Sequence, residues 1–352
     1  MPRLLDGAAL MRLPVDIDGS RGEGGGQILR TSLALAIVTN RKLRMKRIRT
    51  GRTRPGLQPQ HLACVKAAAR LCNGKASAPG GGELEVGMQE LELVPGAGMQ
   101  AEIEIDIGTA GSTTLLLQTI LVPALASGQA LRCVVTGGTH NPMAPPFEFL
   151  DRVFAPHLRA MGGNLTFTLE QHGFLPRGGG KIVLEITPSK LAPIEVMTAG
   201  PIVARRATAI VAGIPRHVAE RELAMAEERL DKPVCEIREF AKLGPHNLFM
   251  AEVELASGVR ELCTAHGRKG YPAEDVADDA LDMLEDFLEA GVPVGAHLAD
   301  QLMLPLAVAG GGRFRCADLS LHATTNIETI QAFLDLPLRT EKHARGVDVI
   351  LG

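Results

Sequence analysis

GGGQILRTSLALAIVTNRKLRMKRIRTGRTRPGLQPQHLACVKAAARL, residues 24–71, holds in one run the plan on which most of the chain is built. A glycine-led turn opens an apolar stretch of helical period, and Lys42–Ile48 (KLRMKRI) alternates apolar and basic residues in the manner of a strand. A polar loop follows, and a second apolar stretch of helical period begins near Gln60 and His61. The same order recurs at residues 110–158 (AGSTTLLLQTILVPALASGQALRCVVTGGTHNPMAPPFEFLDRVFAPHL) and at residues 291–334 (GVPVGAHLADQLMLPLAVAGGGRFRCADLSLHATTNIETIQAFL). Arg30 and Arg52, Gln118 and His140, and Asp300 and His322 are each 22 residues apart, so a polar residue on each first helix stands at a fixed interval from the loop beyond the next strand. Internal repetition of this kind outweighs any single motif in assigning architecture.

The second and third copies start much farther apart than the first and second, which implies an insertion. It spans residues 187–274 and reads as strand (IVARRATAIVAG), helix (VAERELAMAEERL) and three further strands, followed by an acidic amphipathic helix (AEDVADDALDMLEDFLEAG). The expected fold class is therefore α/β, with a large domain of three repeats over residues 1–186 and 275–352 and a smaller α/β domain over 187–274.

Composition narrows the function. With 45% apolar and 22% charged residues and a net charge of −3, the chain as a whole is no polyanion binder. The absence of tryptophan and a single tyrosine leave little for a base-stacking platform. Six cysteines without a C-x-x-C pair read as buried free thiols in a reducing compartment. The N-terminal MPRLLDGAALMRLPVDIDG lacks the apolar core of a signal peptide, and TTLLLQTILVPALA is too short to span a bilayer, so a cytoplasmic protein is expected.

Charge is concentrated locally. Residues 41–54 carry eight basic side chains and no acid. The first half reads as a solvated edge strand, whereas Gly51 and Pro55 make the second half a loop presenting Arg49, Arg52 and Arg54, a guanidinium cluster suited to phosphate. Upstream, GEGGGQ departs from a dinucleotide-binding loop, because Gln27 replaces the last glycine and the ribose-binding acid is missing. It also lacks the Lys-Ser/Thr of a Walker loop. Glu23 in its middle either complements the dipole of the following helix or holds a divalent cation against phosphate oxygens. In SLHATTNIETI, Thr325 and Glu328 suggest a capping box that starts a helix near Asn326, leaving His322 in the preceding loop, where the dipole keeps its ring neutral and nucleophilic. The prolines of NPMAPPFEF either initiate a helix or, with Phe147 and Phe149, form a slot for a planar base. HGFLPRGGG reads as a hairpin connection without assigned chemistry.

EGGGQILR, RTGRTRPGL, TAGSTTLLLQT, GGTHNPMAPP, HGFLPRGGG, HLADQLMLPLA and LHATTNI, in this order from about Asp16 to the C-terminus, resemble the RNA 3'-terminal phosphate cyclase family. The resemblance implies three repeats similar to the C-terminal domain of a bacterial translation initiation factor, and an insert of thioredoxin-like topology. It implies ATP-dependent conversion of an RNA 3'-phosphate into a 2',3'-cyclic phosphodiester through histidyl-AMP and RNA-adenylate intermediates, with Mg²⁺ or Mn²⁺. Carried over, His322 is the nucleophile and Glu23 the metal-binding carboxylate, while Arg30, Arg49, Arg52, Gln60 and His61 serve phosphate binding and transfer. Asp300 and Gln301 orient the nucleophile or the nucleotide, Gln118 lies near the triphosphate, and Pro145 and Phe149 form the adenine pocket. His297 stands where a tyrosine is commoner, which alters any stacking on adenine. The family also has relatives that act as non-catalytic factors in ribosomal RNA processing and lack the nucleophilic histidine, the alternative against which His322 weighs.

Overall fold

The computed structural model describes residues 13–352; the N-terminal stretch searched for a signal peptide, and the start of the large domain, lie outside the described residues up to residue 12. The fold is mixed α/β, with four four-stranded sheets. In the first copy β1 (Val15–Asp18), α1 (Gly26–Thr39), β2 (Leu43–Lys46), α2 (Pro59–Leu71), β3 (Lys75–Ser77) and β4 (Leu91–Val94) give a sheet of order β1-β2-β4-β3. In the second, β5 (Glu102–Asp106), α3 (Thr113–Ser127), β6 (Leu131–Gly137), α4 (Ala155–Ala160), β7 (Asn164–Gln171) and β8 (Gly180–Thr187) give the order β5-β6-β8-β7. A π-helical turn over Phe149–Phe154 leads into α4.

The third copy has the same order from more dispersed pieces: β9 (Glu195–Val196), β14 (Gly312–Cys316), β16 (Gly346–Leu351) and β15 (Leu338–His343), with α7 (Ala296–Ala309) and α8 (Leu321–Phe333). In all three sheets the first two strands run parallel and the next is antiparallel: Val15↔Leu43, Glu102↔Arg132 and Arg313↔Glu195 are matched parallel pairs. Right-handed βαβ crossing explains why the helix of each parallel pair covers one sheet face.

Between β9 and α7 the chain forms the fourth sheet from β10 (Ile202–Ala212), β11 (Val234–Phe240), β12 (His246–Leu255) and β13 (Arg260–His266), with α5 (His217–Arg229) and α6 (Ala273–Ala290). β9 hydrogen-bonds to β14 of the third repeat, and α6 packs on α5 and β13. A two-residue strand carries too little pattern to be seen in a sequence, and the apolar stripe of α6 buries Val276, Ala280, Leu281 and Leu284. Arg152, in the π-helical turn, donates to Glu252 of β12 at 3.0 Å, and Arg238 of β11 pairs with Glu148.

The basic strand of the first copy is no edge. β2 lies between β1 and β4, burying Leu43 and Met45 while Arg44 and Lys46 face solvent. A two-residue alternation marks a sheet covered on one face, whatever the strand's place in it. Helices α3 and α7 are apolar nearly all round and carry Pro123 and Pro305 five residues beyond Gln118 and Asp300 respectively, a further mark of the repeat. Of the six cysteines, all free, only Cys235 is partly exposed, as the sequence implies. No helix among the described residues is long and apolar enough to cross a membrane.

Candidate active site

The first two turns of five helices open into one cavity of about 940 Å³: Gly26, Gln27 and Arg30 of α1, Gln60 and His61 of α2, Leu115 and Gln118 of α3, His297, Asp300 and Gln301 of α7 and His322 of α8. Each helix N-terminus presents unpaired N–H groups and a partial positive charge. Five of them, with Arg30, Arg49 and Arg52, make the cavity positive inside a protein of net charge −3. All thirteen residues expected at the site line it.

Glycines permit the crowding at the entrance to α1. Gly22 has φ +53°, and a methyl there would lie 2.1 Å from Thr325 Oγ1, so both conformation and space require glycine. A methyl on Gly25 would fall on the Glu23 carboxylate, and one on Gly26 would lie 2.6 Å from His61 Nε2 and 2.9 Å from Arg30 Nη1. The third copy closes over this turn: Thr325 Oγ1 accepts from Glu23 N (3.0 Å) and donates to Leu321 O (2.6 Å). Thr325 thus lies inside the helix and does not cap it. Instead Ser320 Oγ accepts from Ala323 N at 3.1 Å and starts α8 at Leu321, so His322 sits in the first helical turn and not in a loop.

The His322 ring is 51% open to the cavity, and its Nδ1 lies 2.6 Å from Gln27 Oε1. Gln27 Nε2 in turn donates to Asp300 Oδ2 at 3.3 Å. Asn326 Nδ2 donates to the Asp300 main-chain oxygen (2.7 Å), and Thr31 Oγ1 donates to Asn326 Oδ1 (2.8 Å). Burial first, then Arg30 and Arg52, holds the His322 pKa below its ordinary value, so the ring is neutral at neutral pH. His297, beside it, is lowered by burial and then by His322. Asp300 is pushed up to about 7 by burial, against the pull of Arg30 and Gln27.

Arg30 lines the cavity, and burial draws its pKa down against the charges of Cys64 and Asp300. A cation so placed suits an anionic ligand. Arg49 Nη1 is braced by the main-chain oxygens of Arg54 (2.7 Å) and Gly56 (3.0 Å). His61 Nδ1 accepts from Gln58 N (3.1 Å), so a neutral ring carries its proton on Nε2, facing Arg30. Burial, then Arg49 and Arg30, holds it down to about 3. Gln60 Oε1 accepts from Ser112 N (2.8 Å), and Gln118 Nε2 donates to Gln301 Oε1 (2.6 Å), each bond joining two copies of the repeat.

Arg52 pairs with Glu23 Oε1 and donates to its main-chain oxygen at 3.0 Å. Glu23 Oε2 is buried with no hydrogen-bond partner, 3.9 Å from His322 Nδ1. The described residues contain no cluster of three His, Cys, Asp or Glu side chains placed to hold a metal. One orphaned carboxylate oxygen fits an ion that takes most of its ligands from phosphate and water, as Mg²⁺ does, and not a closed protein cage.

At the far end Pro145, Phe149, Phe154 and Leu304 form an apolar wall, with the Pro145 carbonyl fixed by Thr114 Oγ1 at 2.7 Å. Leu262, Thr264 and His266, on one face of β13, complete it from the inserted sheet. Leu262, Thr264 and His266 do not stand out in the sequence, where only the two-residue alternation of β13 could have marked them, and Thr325 and Asn326 stand out there only as a helix start. The 22-residue interval overreaches in the second copy: His140 is fully buried outside the cavity, bonded to Thr139 and Glu148 and stacked on His172. The Glu148 carboxylate that holds it is paired also with Arg238.

Fold and site together define an α/β enzyme whose cavity suits an anionic ligand beside an open, neutral histidine. Residues 21–339 match the family described as RNA 3'-terminal phosphate cyclase. The chain is 43% identical over 327 residues to the RNA 3'-terminal phosphate cyclase of Ectopseudomonas mendocina (strain ymp), covering 92% of this chain and 94% of that one. It is 42% identical over 339 residues to that of Pseudomonas fluorescens, covering 96% of each, and 42% identical over 339 residues to that of Koribacter versatilis, covering 95% and 94%. The chain belongs to the RNA 3'-terminal phosphate cyclase family and is an enzyme of that type, a ligase.

Proposed function

We propose that the protein converts an RNA 3'-phosphate end into a 2',3'-cyclic phosphodiester at the expense of ATP, through an adenylate carried on His322. The observation that carries this reading is the neutral, open His322 ring, held by its Nδ1 at the rim of a cradle of helix N-termini and arginines. In the first step His322 Nε2 attacks the α-phosphorus of ATP; the P–N bond forms, the P–O bond to the β-phosphate breaks, and pyrophosphate leaves. Charge gathers on the phosphate oxygens, where Arg30, Arg49, Arg52 and the Nε2–H of His61 stand ready to stabilise it. The proton stays on Nδ1, donated to Gln27 Oε1, while the ring bears positive charge.

An RNA 3'-phosphate oxygen next attacks the same phosphorus and frees His322. The 2'-hydroxyl oxygen then attacks the 3'-phosphorus, its proton departs, and AMP is expelled. The vicinal position of that hydroxyl supplies a high effective concentration for closure. Glu23 Oε2 would be the protein ligand for Mg²⁺ or Mn²⁺, which when bound would offset the charge of the triphosphate. Asp300 and Gln301 orient nucleophile and nucleotide. Gln118 lies by the triphosphate, and Pro145, Phe149 and His297 flank the adenine. In this assignment the three repeats form the catalytic body, the inserted sheet has thioredoxin-like topology, and the protein works in the cytoplasm. A non-catalytic role in ribosomal RNA processing leaves the Gln27–His322 contact without use.

The test uses an end-labelled RNA bearing a 3'-phosphate, incubated with ATP and Mg²⁺. The reading predicts an end that resists phosphomonoesterase, with one AMP released per end. An end that stays sensitive to phosphatase while ATP is present contradicts it.

A further inference from the structure

We infer that Gln27 is the positioning residue that fixes the tautomer of His322, so that Nε2 carries the lone pair into the cavity and Nδ1 keeps the proton. The inference rests on the adenylation reading only in its kinetic arm. Gln27 lies in the first turn of α1, 295 residues from His322, and its amide touches two groups. An amide has one acceptor end and one donor end, and its neighbours decide which faces where. Asp300 Oδ2, at 3.3 Å, accepts the Gln27 Nε2 hydrogen, a role that this oxygen can fill whether the carboxyl is ionised or carries its proton on the other oxygen.

That leaves Gln27 Oε1, 2.6 Å from His322 Nδ1, to face the ring. An amide oxygen has no hydrogen to give, so the ring nitrogen facing it must be the donor. A neutral imidazole has one N–H, and placing it on Nδ1 leaves Nε2 bare. Glu23 Oε2, at 3.9 Å from Nδ1, is beyond hydrogen-bond range and cannot do the same.

The surroundings hold the relay still. Asn326 grips the Asp300 main chain at 2.7 Å and is itself gripped by Thr31 at 2.8 Å, which ties α7, α8 and α1 around the Gln27 amide. Asp300 therefore acts on His322 through Gln27, with no contact of its own to the ring. The glutamine that breaks the dinucleotide-loop pattern thus has a use: a glycine there could not transmit the carboxylate's orientation.

The test is ¹⁵N NMR of selectively ¹⁵N-histidine-labelled protein without nucleotide, with the His322 signals assigned by their loss in His322→Asn. Wild type should show a protonated Nδ1 and a bare Nε2. Gln27→Met, similar in size but without an acceptor, should shift the ring toward the opposite tautomer. Its adenylation kcat should fall on the order of 100-fold, the scale of a mis-set catalytic proton, with KM for ATP nearly unchanged. Gln27→Glu, whose carboxylate accepts and cannot donate once Asp300 holds the shared proton, should keep the protonated Nδ1 and recover most of the rate. A wild-type ring protonated on Nε2, or a Gln27→Met ring still protonated on Nδ1, overturns the inference. Should Gln27→Met fail to fold, the wild-type and Gln27→Glu spectra decide. Should wild type form no adenylate, the function proposed above fails, and the ring spectrum still judges Gln27.

Discussion

Gly26→Ala separates the chemistry of the site from the stability of the fold. Gly26 begins α1 with an ordinary backbone conformation, so alanine there carries no strain, and its helix propensity exceeds glycine's by up to about 1 kcal/mol. The new methyl would lie 2.6 Å from His61 Nε2 and 2.9 Å from Arg30 Nη1, where ordinary contact begins near 3.4 Å, so His61 must retreat by about 0.8 Å. Arg30, at the end of a flexible chain, yields easily. His61 is buried and held by Gln58 N at 3.1 Å, so it moves only by giving up that bond or displacing α2. Misplacement of a catalytic group by about 1 Å costs roughly 100-fold in rate. The expected outcome is a melting temperature within a few degrees of wild type and single-turnover transfer from α-labelled ATP slowed on the order of 100-fold. Gly22→Ala is the contrast: its φ of +53° and the 2.1 Å approach to Thr325 should lower stability as well as rate. A stable Gly26→Ala protein that adenylates at the wild-type rate refutes the reasoning.

Glu23→Gln keeps the shape of the side chain and removes its charge. Adenylation should fall at least tenfold and need a higher Mg²⁺ concentration to saturate, as read from a metal titration, while an unchanged titration would exclude Glu23 as a metal ligand. Glu261, buried on β13 with one oxygen unpartnered against Gly295, is pushed up to about 8 by burial. Its folded pKa exceeds its unfolded value of 4.5, so the folded state holds the extra proton and stability falls as pH rises from about 4.5 to 8. Glu261→Gln should therefore melt higher than wild type at pH 8.5 and match it near pH 4.5; equal melting temperatures at both would deny the protonated carboxyl.

The repeat was legible because each copy restates the same physical problem, an apolar helix over a half-covered sheet, in similar residues at similar intervals. The interval drew attention to Arg30, Asp300 and His322, and its oddity in a glycine turn to Glu23, while the roles of Arg30 and Asp300 came from the family resemblance. What escaped depends on partners far away in sequence. Ser320 starts α8, and Thr325, inside that helix, meets Glu23 from 302 residues away, a contact that nothing near Thr325 announces. β9 is a strand only because β14 lies beside it. His140 keeps the spacing of Arg52 and His322 yet turns inward to Glu148, since an interval fixes position along the chain and not the direction of a side chain. Leu262, Thr264 and His266 reach the cavity from another sheet, a meeting that no local pattern encodes.

The central claim is that His322 carries AMP. Protein incubated with α-labelled ATP and Mg²⁺, digested and mapped, should bear an acid-labile label on the peptide containing His322, and a chase with RNA ending in a 3'-phosphate should discharge it as AMP. His322→Ala should take up no label. A label that persists in His322→Ala, or one that the RNA cannot discharge, would contradict the account.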